Sequence, residues 1–312
     1  MNIQQFQYIL AVADKKHFEL AAEKCYISQS TLSTMISKFE EEIGVKIFDR
    51  KKKPVHITAE GAIIIDKLKE VTTQIGQLKE LVKEIKGEIK GKISISVIPT
   101  VSPYLLPLFL HDFAKKHPLL KLEVREQTTE EIIRQLKSRD LDIGIVSTSL
   151  NDNMLVETEL YREPFVLYDK KSNNPKKKVA VKTIDTSTLW LLEEGHCMRT
   201  QALQICNLKK MQPSQIENID FKAGSIDSLI RFVNANEAST LLPYLSTLQL
   251  PARDAKHIRT FITPAPVRTI GLVVHRHFVK NKVLELLKSE IEEKIKTVLP
   301  KSMMKGEVVK PV

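Results

Sequence analysis

Glycine is scarce in this chain, 10 residues of 312, and aromatic residues make up only 6%. So little of either argues against a loop-rich β-sandwich or a collagen-like repeat and for helix-rich or α/β structure. The three cysteines are too few, and odd in number, for a disulfide framework. Apolar runs stop after a handful of residues, as at Ile63-Ile64-Ile65, far short of the ~20 that a membrane helix needs. The first residues lack the basic patch, apolar stretch and cleavage site of a signal peptide. A cytoplasmic chain is expected, with no membrane association and with cysteines resting as thiols. At 42% hydrophobic and 28% charged residues, 312 positions suffice for two or three cored domains and exclude a disordered tail protein.

The net charge of +10 hints at a polyanionic partner. Residues 1–90 hold 15 basic against 13 acidic side chains, so the excess is not concentrated there. It is concentrated locally, where Lys46, Arg50, Lys51, Lys52 and Lys53 face a single acid, Asp49, within eight residues. A second run, Lys176-Lys177-Lys178, follows Asn173-Asn174-Pro175 and reads as a surface turn.

Ile3, Phe6, Ile9, Leu10 and Ala13 have helical spacing up to Asp14-Lys15-Lys16. A short Ala-rich helix is expected over 18–25. Ser28 then stands as the N-cap of a third helix, in which Leu32, Ile36, Phe39 and Ile43 share one face. The opposite face carries Gln29, Ser30, Thr31, Ser33, Thr34, Ser37 and Lys38, side chains suited to base edges and phosphates in a major groove. Two short helices joined by a tight turn, over about 18–37, form a helix-turn-helix. After Gly44, short β-like pieces at 45–48 and 55–57 bracket Arg50-Lys51-Lys52-Lys53-Pro54, a wing whose cations meet phosphates. A long helix over about 59–88 spaces Ile64, Leu68, Val71, Ile75, Leu78, Val82 and Ile85 in heptads. With no partner for that seam expected in its own chain, the periodicity predicts a homodimer.

Phe18-x-x-Ala21-Ala22, Ser28-Gln29-Ser30-Thr31-Leu32-Ser33, Ile36-x-x-Phe39-Glu40, Gly44, Phe48-x-Arg50, Thr58 and Gly61 together resemble the LysR-type transcriptional regulators. The resemblance implies a winged helix-turn-helix over 1–58, a linker helix over 59–90 and binding to two-fold symmetric promoter DNA. It also implies a dimer of dimers working with RNA polymerase.

Beyond Gly87 and Gly91, strands and helices alternate: strands at 93–98, 120–124 and 141–146 with helices at 104–116 and 130–138. A β-rich piece at 165–168 leads to a second set: strands 189–192, 219–221 and 240–242, helices 199–206 and 225–233, a returning strand 269–274 and a last helix 282–296. Such alternation predicts a parallel sheet covered on both faces. The expected fold is α/β, with two Rossmann-like subdomains of periplasmic-binding-protein type, I over about 91–164 and 268–300 and II over about 165–267. Residues 301–312 read as a disordered tail. Ligands of such sheets sit at the carboxyl ends of strands, where Pro99-Thr100 and Gly195-His196-Cys197 fall.

Cys197 is placed at a helix N-terminus, where the dipole, His196 and Arg199 are expected to lower its pKa. Cys206, after Leu203 and Ile205 on the same helix, is expected to be buried and inert, and Cys25 to belong to the N-terminal core. Nine residues of helix separate Cys197 from Cys206 by roughly 13 Å, whereas a disulfide needs Cα atoms within about 7 Å. Bonding them requires the segment to unwind, which suits a switch.

Ile98-Pro99-Thr100-Val101-x-Pro103-Tyr104-Leu105-Leu106-Pro107, Leu192-Glu193-x-Gly195-His196-Cys197-x-Arg199-x-Gln201-Ala202 with Cys206, Leu241-Leu242-Pro243 and Arg268-Thr269-Ile270-Gly271-Leu272-Val273 resemble the peroxide-sensing members of the family. That resemblance implies that Cys197 is the peroxidatic thiol and Cys206 the resolving one. It implies that Thr100, Thr129, His196 and Arg268 line a hydrogen peroxide pocket, with Thr128 an alternative to Thr129. Thr200 stands where some relatives have Asp. The expected function is activation of oxidative-stress defence genes, reset by a cytosolic thiol reductant, with no cofactor or metal and no enzymatic turnover. A LysR regulator answering a small molecule in the cleft is the alternative. A thiol peroxidase is a third reading, which leaves the helix-turn-helix without purpose.

Overall fold

A computed structural model describes residues 1–172, 178–193, 195, 197–207, 221–299 and 305–311. The chain forms two compact units, Met1–Lys86 and Gly87–Val312.

In the first unit, α1 (Ile3–Lys15) starts at a capping box: the Gln5 N–H donates to Asn2 and the Asn2 N–H to the Gln5 side chain. Helix α2 (Phe18–Lys24) is followed by α3 (Gln29–Ile43), capped by the Ser28 hydroxyl at 3.2 Å from the Thr31 nitrogen. Leu32, Ile36 and Phe39 are buried, as their spacing predicts, and Phe39 meets the Phe6 ring edge-on. Gly44 closes α3 at φ +69°, a left-handed conformation natural to glycine. The wing strands β1 (Phe48–Asp49) and β2 (His56–Ile57) pair antiparallel and are shorter than the sequence suggests.

Helix α4 (Ala59–Ile85) is capped by Thr58 and runs hard against the wing: a Cβ on Gly61 would sit 2.3 Å from the Ile47 carbonyl oxygen. The seam of this helix divides. Leu68 is buried and Ile64 and Val71 half-buried against the core of their own unit, which corrects the expectation of a seam with no partner in its own chain. Leu78, Val82 and Ile85 are exposed.

The second unit begins with β3 (Gly91–Val97), α5 (Ser102–Lys116), β4 (Leu120–Glu126), α6 (Thr129–Ser138) and β5 (Ile143–Ser147), and β3 pairs parallel with both β4 and β5. The strand β6 (Leu155–Asp169) then leads to α7 (Cys197–Ile205), α8 (Ile226–Ala235), β7 (Ser239–Pro243) and the short helices α9 (Tyr244–Thr247) and α10 (Ala252–Ala255). The chain ends with β8 (Ile258–Thr260), β9 (Ala265–His275), α11 (Asn281–Val298) and β10 (Gly306–Val308).

The strand order is β4-β3-β5-β9-β6-β7, with β8 on β6 and β10 on β9. This is a mixed sheet, not the parallel one expected, because the chain passes between its two halves on β6 and β9, which run antiparallel to each other. Residues 155–164 of β6 pair with β9 and residues 165–169 with β7, so one strand serves both halves. Each half has its own apolar core. Residues 189–192 make isolated bridges, Leu189 to Ser239 and Leu192 to Ala223, in place of a continuous strand. The expected strand at 219–221 and the lysine turn lie largely outside the described residues.

The expected disordered tail is also corrected. Gly306–Val308 adds to β9 in parallel, and the Val309 N–H donates to the Val267 carbonyl at 2.8 Å. An exposed strand edge recruits this segment through backbone hydrogen bonds that sequence periodicity does not reveal.

Candidate functional site

On α3, Gln29, Ser30, Thr31, Thr34 and Lys38 are exposed, while Ser33 and Ser37 are half-buried. Lys51, Lys52 and Lys53 project from the wing. Arg50 is engaged within the protein: its Nη1 donates to the Ser33 hydroxyl at 2.7 Å, its Nη2 to Glu40 at 3.3 Å, and its guanidinium covers the Phe18 ring. Glu40, named in the sequence only as part of a motif, is 2% exposed and accepts the Ile47 and Phe48 N–H groups at 2.7 and 3.1 Å. It therefore pins the wing to the end of α3.

In the second unit, Cys197 is the first residue of α7 and is buried in the core of the first half, whereas Met198, Ala202 and Ile205 of the same helix belong to the core of the second. Thr100 lies just beyond β3, Thr129 begins α6 and Arg268 is on β9. Arg268 is 1% exposed. Its Nε donates to Glu163 at 2.9 Å, its Nη1 to the Thr100 hydroxyl at 3.0 Å and its Nη2 to the Thr100 carbonyl at 3.0 Å. Thr128 caps α6 on the surface. The Thr129 hydroxyl is buried beside Cys197, favours its ionised form, and makes no hydrogen bond of good geometry. Of the two threonines, Thr129 is the one beside Cys197.

Four of the expected residues thus converge: Cys197, Thr100, Thr129 and Arg268. Cys206 does not join them. It follows the far end of α7, half-buried instead of buried, and all three cysteines, with Cys25 half-buried against the N-terminal core, are free thiols. His196 lies outside the described residues. Arg199 donates to the Leu192 carbonyl at 2.9 Å, so it braces the entrance to α7.

The expected lowering of the Cys197 pKa is corrected. Burial pushes the thiol up and outweighs the opposing pull of Arg268, the Thr129 hydroxyl and the N–H groups of Met198 and Cys197. The helix N-terminus does act on the sulfur as expected, but desolvation, which depends on the whole fold, is larger. Burial also pushes the Cys206 thiol up, to about 11.

Sequence reasoning missed Glu163, Tyr161 and the role of Gln201. Glu163 is fully buried and its second oxygen accepts the Leu245 N–H at 2.7 Å. Tyr161 is buried, and among the described residues its hydroxyl has no hydrogen-bond partner; burial and then the Glu163 charge push its pKa well up, so it is a neutral phenol. Gln201 is fully buried on α7 and donates to Ser147 and to the Val309 carbonyl. A carboxylate at the start of an apolar strand run was the one available signal for Glu163.

A winged helix-turn-helix, a long helix, and an α/β unit whose halves share two crossing strands define a DNA-binding regulator. Residues 3–62 match the bacterial regulatory helix-turn-helix protein, lysR family, and residues 86–295 the LysR substrate binding domain. The chain belongs to the LysR family. It is 34% identical to the hydrogen peroxide-inducible genes activator of Dickeya chrysanthemi over 88% of this chain and 89% of the relative. It is equally identical, over the same shares, to the DNA-binding transcriptional dual regulator OxyR of Escherichia coli. Among solved structures, a full-length OxyR variant from Pseudomonas aeruginosa superposes with a TM-score of 0.68 at 27% identity, covering 94% of this chain and 98% of that one. OxyR from Porphyromonas gingivalis gives 0.60 at 27% identity over 69% of this chain and 96% of its own.

Proposed function

We propose that this chain is a transcriptional regulator that senses hydrogen peroxide through a reversible Cys197–Cys206 disulfide and activates oxidative-stress defence genes. The observation that carries the proposal is a buried thiol at a helix N-terminus, with Arg268, Thr100 and Thr129 gathered round it and a second thiol at the other end of the same helix. The ionised Cys197 sulfur attacks one peroxide oxygen, the O–O bond breaks, and hydroxide leaves as water after taking a proton. Hydroxyl and guanidinium donors stabilise the departing oxygen. The Cys197 sulfenic acid then condenses with the Cys206 thiol and releases a second water. Because an intact α7 holds the two sulfurs at its opposite ends, disulfide formation requires α7 to unwind. A dithiol reductant supplies the two electrons that restore the thiols.

The same proposal assigns residues 1–58 to DNA binding through Gln29, Ser30, Thr31, Ser33, Thr34, Ser37 and Lys38, with phosphate contacts from the wing lysines. It assigns 59–90 to dimerisation, 91–300 to redox sensing, and the assembled form to a dimer of dimers contacting RNA polymerase. Exposed Leu78, Val82 and Ile85 support the dimer. Promoter footprints of wild type and Cys197→Ser, with and without peroxide, test it: peroxide changes the wild-type footprint only. An unchanged wild-type footprint overturns it.

A further inference from the structure

Arg268 is a fully buried cation, and two groups within its electrostatic reach are able to serve as its counter-ion: the Glu163 carboxylate and an ionised Cys197. Such a charge is tolerated in the interior only when paired. The structure shows which group holds it. Glu163 Oε2 lies 2.9 Å from Nε and 2.8 Å from Nη2 of Arg268, and Oε1 is fixed by the Leu245 N–H at the start of α9. Glu163 and Arg268 also stand opposite each other in the β6–β9 register, so backbone pairing holds the two side chains together.

We propose that Glu163 is a positioning residue that offsets the Arg268 charge and thereby favours the protonated form of Cys197 at rest; as a refinement of the thiol site, this rests on the peroxide-sensing role proposed above. With Glu163 ionised, the cluster is neutral when Cys197 is a thiol and carries a buried negative charge when it is a thiolate. With Glu163 neutralised, the order inverts, and the thiolate becomes the only anion of the three that balances the guanidinium. Among the described residues, the other groups acting on the sulfur are Thr129 from α6 and the N–H groups of Met198 and Cys197 from α7; Tyr161 from β6 and Tyr104 from α5 lie within the reach of the Arg268 charge. None of them carries a formal charge, so they do not replace Glu163.

Residue-specific alkylation of Cys197 by iodoacetamide, followed by mass spectrometry against pH on the reduced full-length chain, tests this without peroxide. It therefore stands or falls separately from the sensing role. In Glu163→Gln the alkylation midpoint falls by about one pH unit, a tenfold gain in thiolate below the midpoint. The peroxide rate near neutral pH rises only about threefold, because a less basic thiolate is a weaker nucleophile. A folded Glu163→Gln protein with an unmoved or raised midpoint overturns the proposal. Adding Arg268→Gln removes the cation that Glu163→Gln leaves uncompensated, so the midpoint of the double variant lies above that of Glu163→Gln. A double-variant midpoint no higher than that of Glu163→Gln means that the Gln substitution merely loosened the site, and overturns the proposal. If Glu163→Gln alone does not fold, the double variant is compared with Arg268→Gln, in which Glu163 stays charged, and a double-variant midpoint no lower than that of Arg268→Gln overturns the proposal.

Discussion

Gln201 donates from Nε2 to the Val309 carbonyl oxygen at 2.8 Å and to the Ser147 hydroxyl at 3.1 Å, joining the helix that starts at Cys197 to the residue after the last strand. The helix bearing Cys197 is thereby tied to a segment 108 positions further along the chain. Replacing Gln201 with Ala leaves two acceptors without their donor and is expected to cost about 1–3 kcal/mol. The melting temperature of the reduced protein falls, and Cys197 alkylates faster at fixed pH because α7 is less firmly held. An unchanged alkylation rate would show that the tie does not restrain the helix.

Thr129→Val removes a buried hydroxyl that lacks a well-formed hydrogen bond and keeps the side-chain shape. Stability is expected to hold or rise slightly, since no satisfied bond is lost. The reaction of Cys197 with peroxide slows, because the hydroxyl that favours the thiolate is gone. Thermal unfolding and stopped-flow peroxide consumption, measured on one preparation, separate the two effects.

Glu40→Ala strips the acceptor from two backbone N–H groups of the wing and the partner from Arg50. A loss of about 2–4 kcal/mol is expected for the first unit. Arg50 then keeps only the Ser33 hydroxyl and the Phe18 ring, and promoter affinity drops although neither Glu40 nor its backbone partners face outward. Fluorescence anisotropy with promoter DNA, alongside thermal unfolding of the full chain, provides the check.

The Cys206 thiol has its pKa pushed up to about 11 in the folded chain, from 9.0 when exposed. The unfolded state therefore loses its proton first as pH rises, and the folded state binds more protons across that window. Stability from this group is complete below about pH 9 and is lost as pH rises through about 11. Cys206→Ala flattens the alkaline fall in melting temperature between those values. An equally steep fall in the variant would assign the effect to other groups.

The helix-turn-helix was legible because its signals are local: Ser28 three residues before Thr31, apolar side chains at helical spacing, and Gly44 at the left-handed turn. The meeting of Cys197, Thr100, Thr129 and Arg268 followed from a resemblance, not from spacing. What escaped sequence reasoning depends on long-range pairing. Glu163 meets Arg268 across 105 residues, and an acid next to an apolar run gives no indication of which base it will find. The sign of the Cys197 pKa shift escaped for a related reason: a helix N-terminus is visible in sequence, whereas the desolvation that outweighs it is created only when two cores close around the thiol. β10 is three residues long and finds its place only because β9 leaves an edge for it.

The two strands that cross between the halves of the second unit have a mechanical consequence. Flexible linkers let domains swing apart, but β6 and β9 are paired from Leu155 opposite His275 to Pro164 opposite Val267, with one register shift between Glu159 and Tyr161. Relative rotation of the halves is therefore a torsion spread along a two-stranded ribbon, and it is resisted by every rung. Glu163 and Arg268 form one of those rungs, so the buried ion pair lies on the ribbon itself and ties its two strands through side chains as well as backbone.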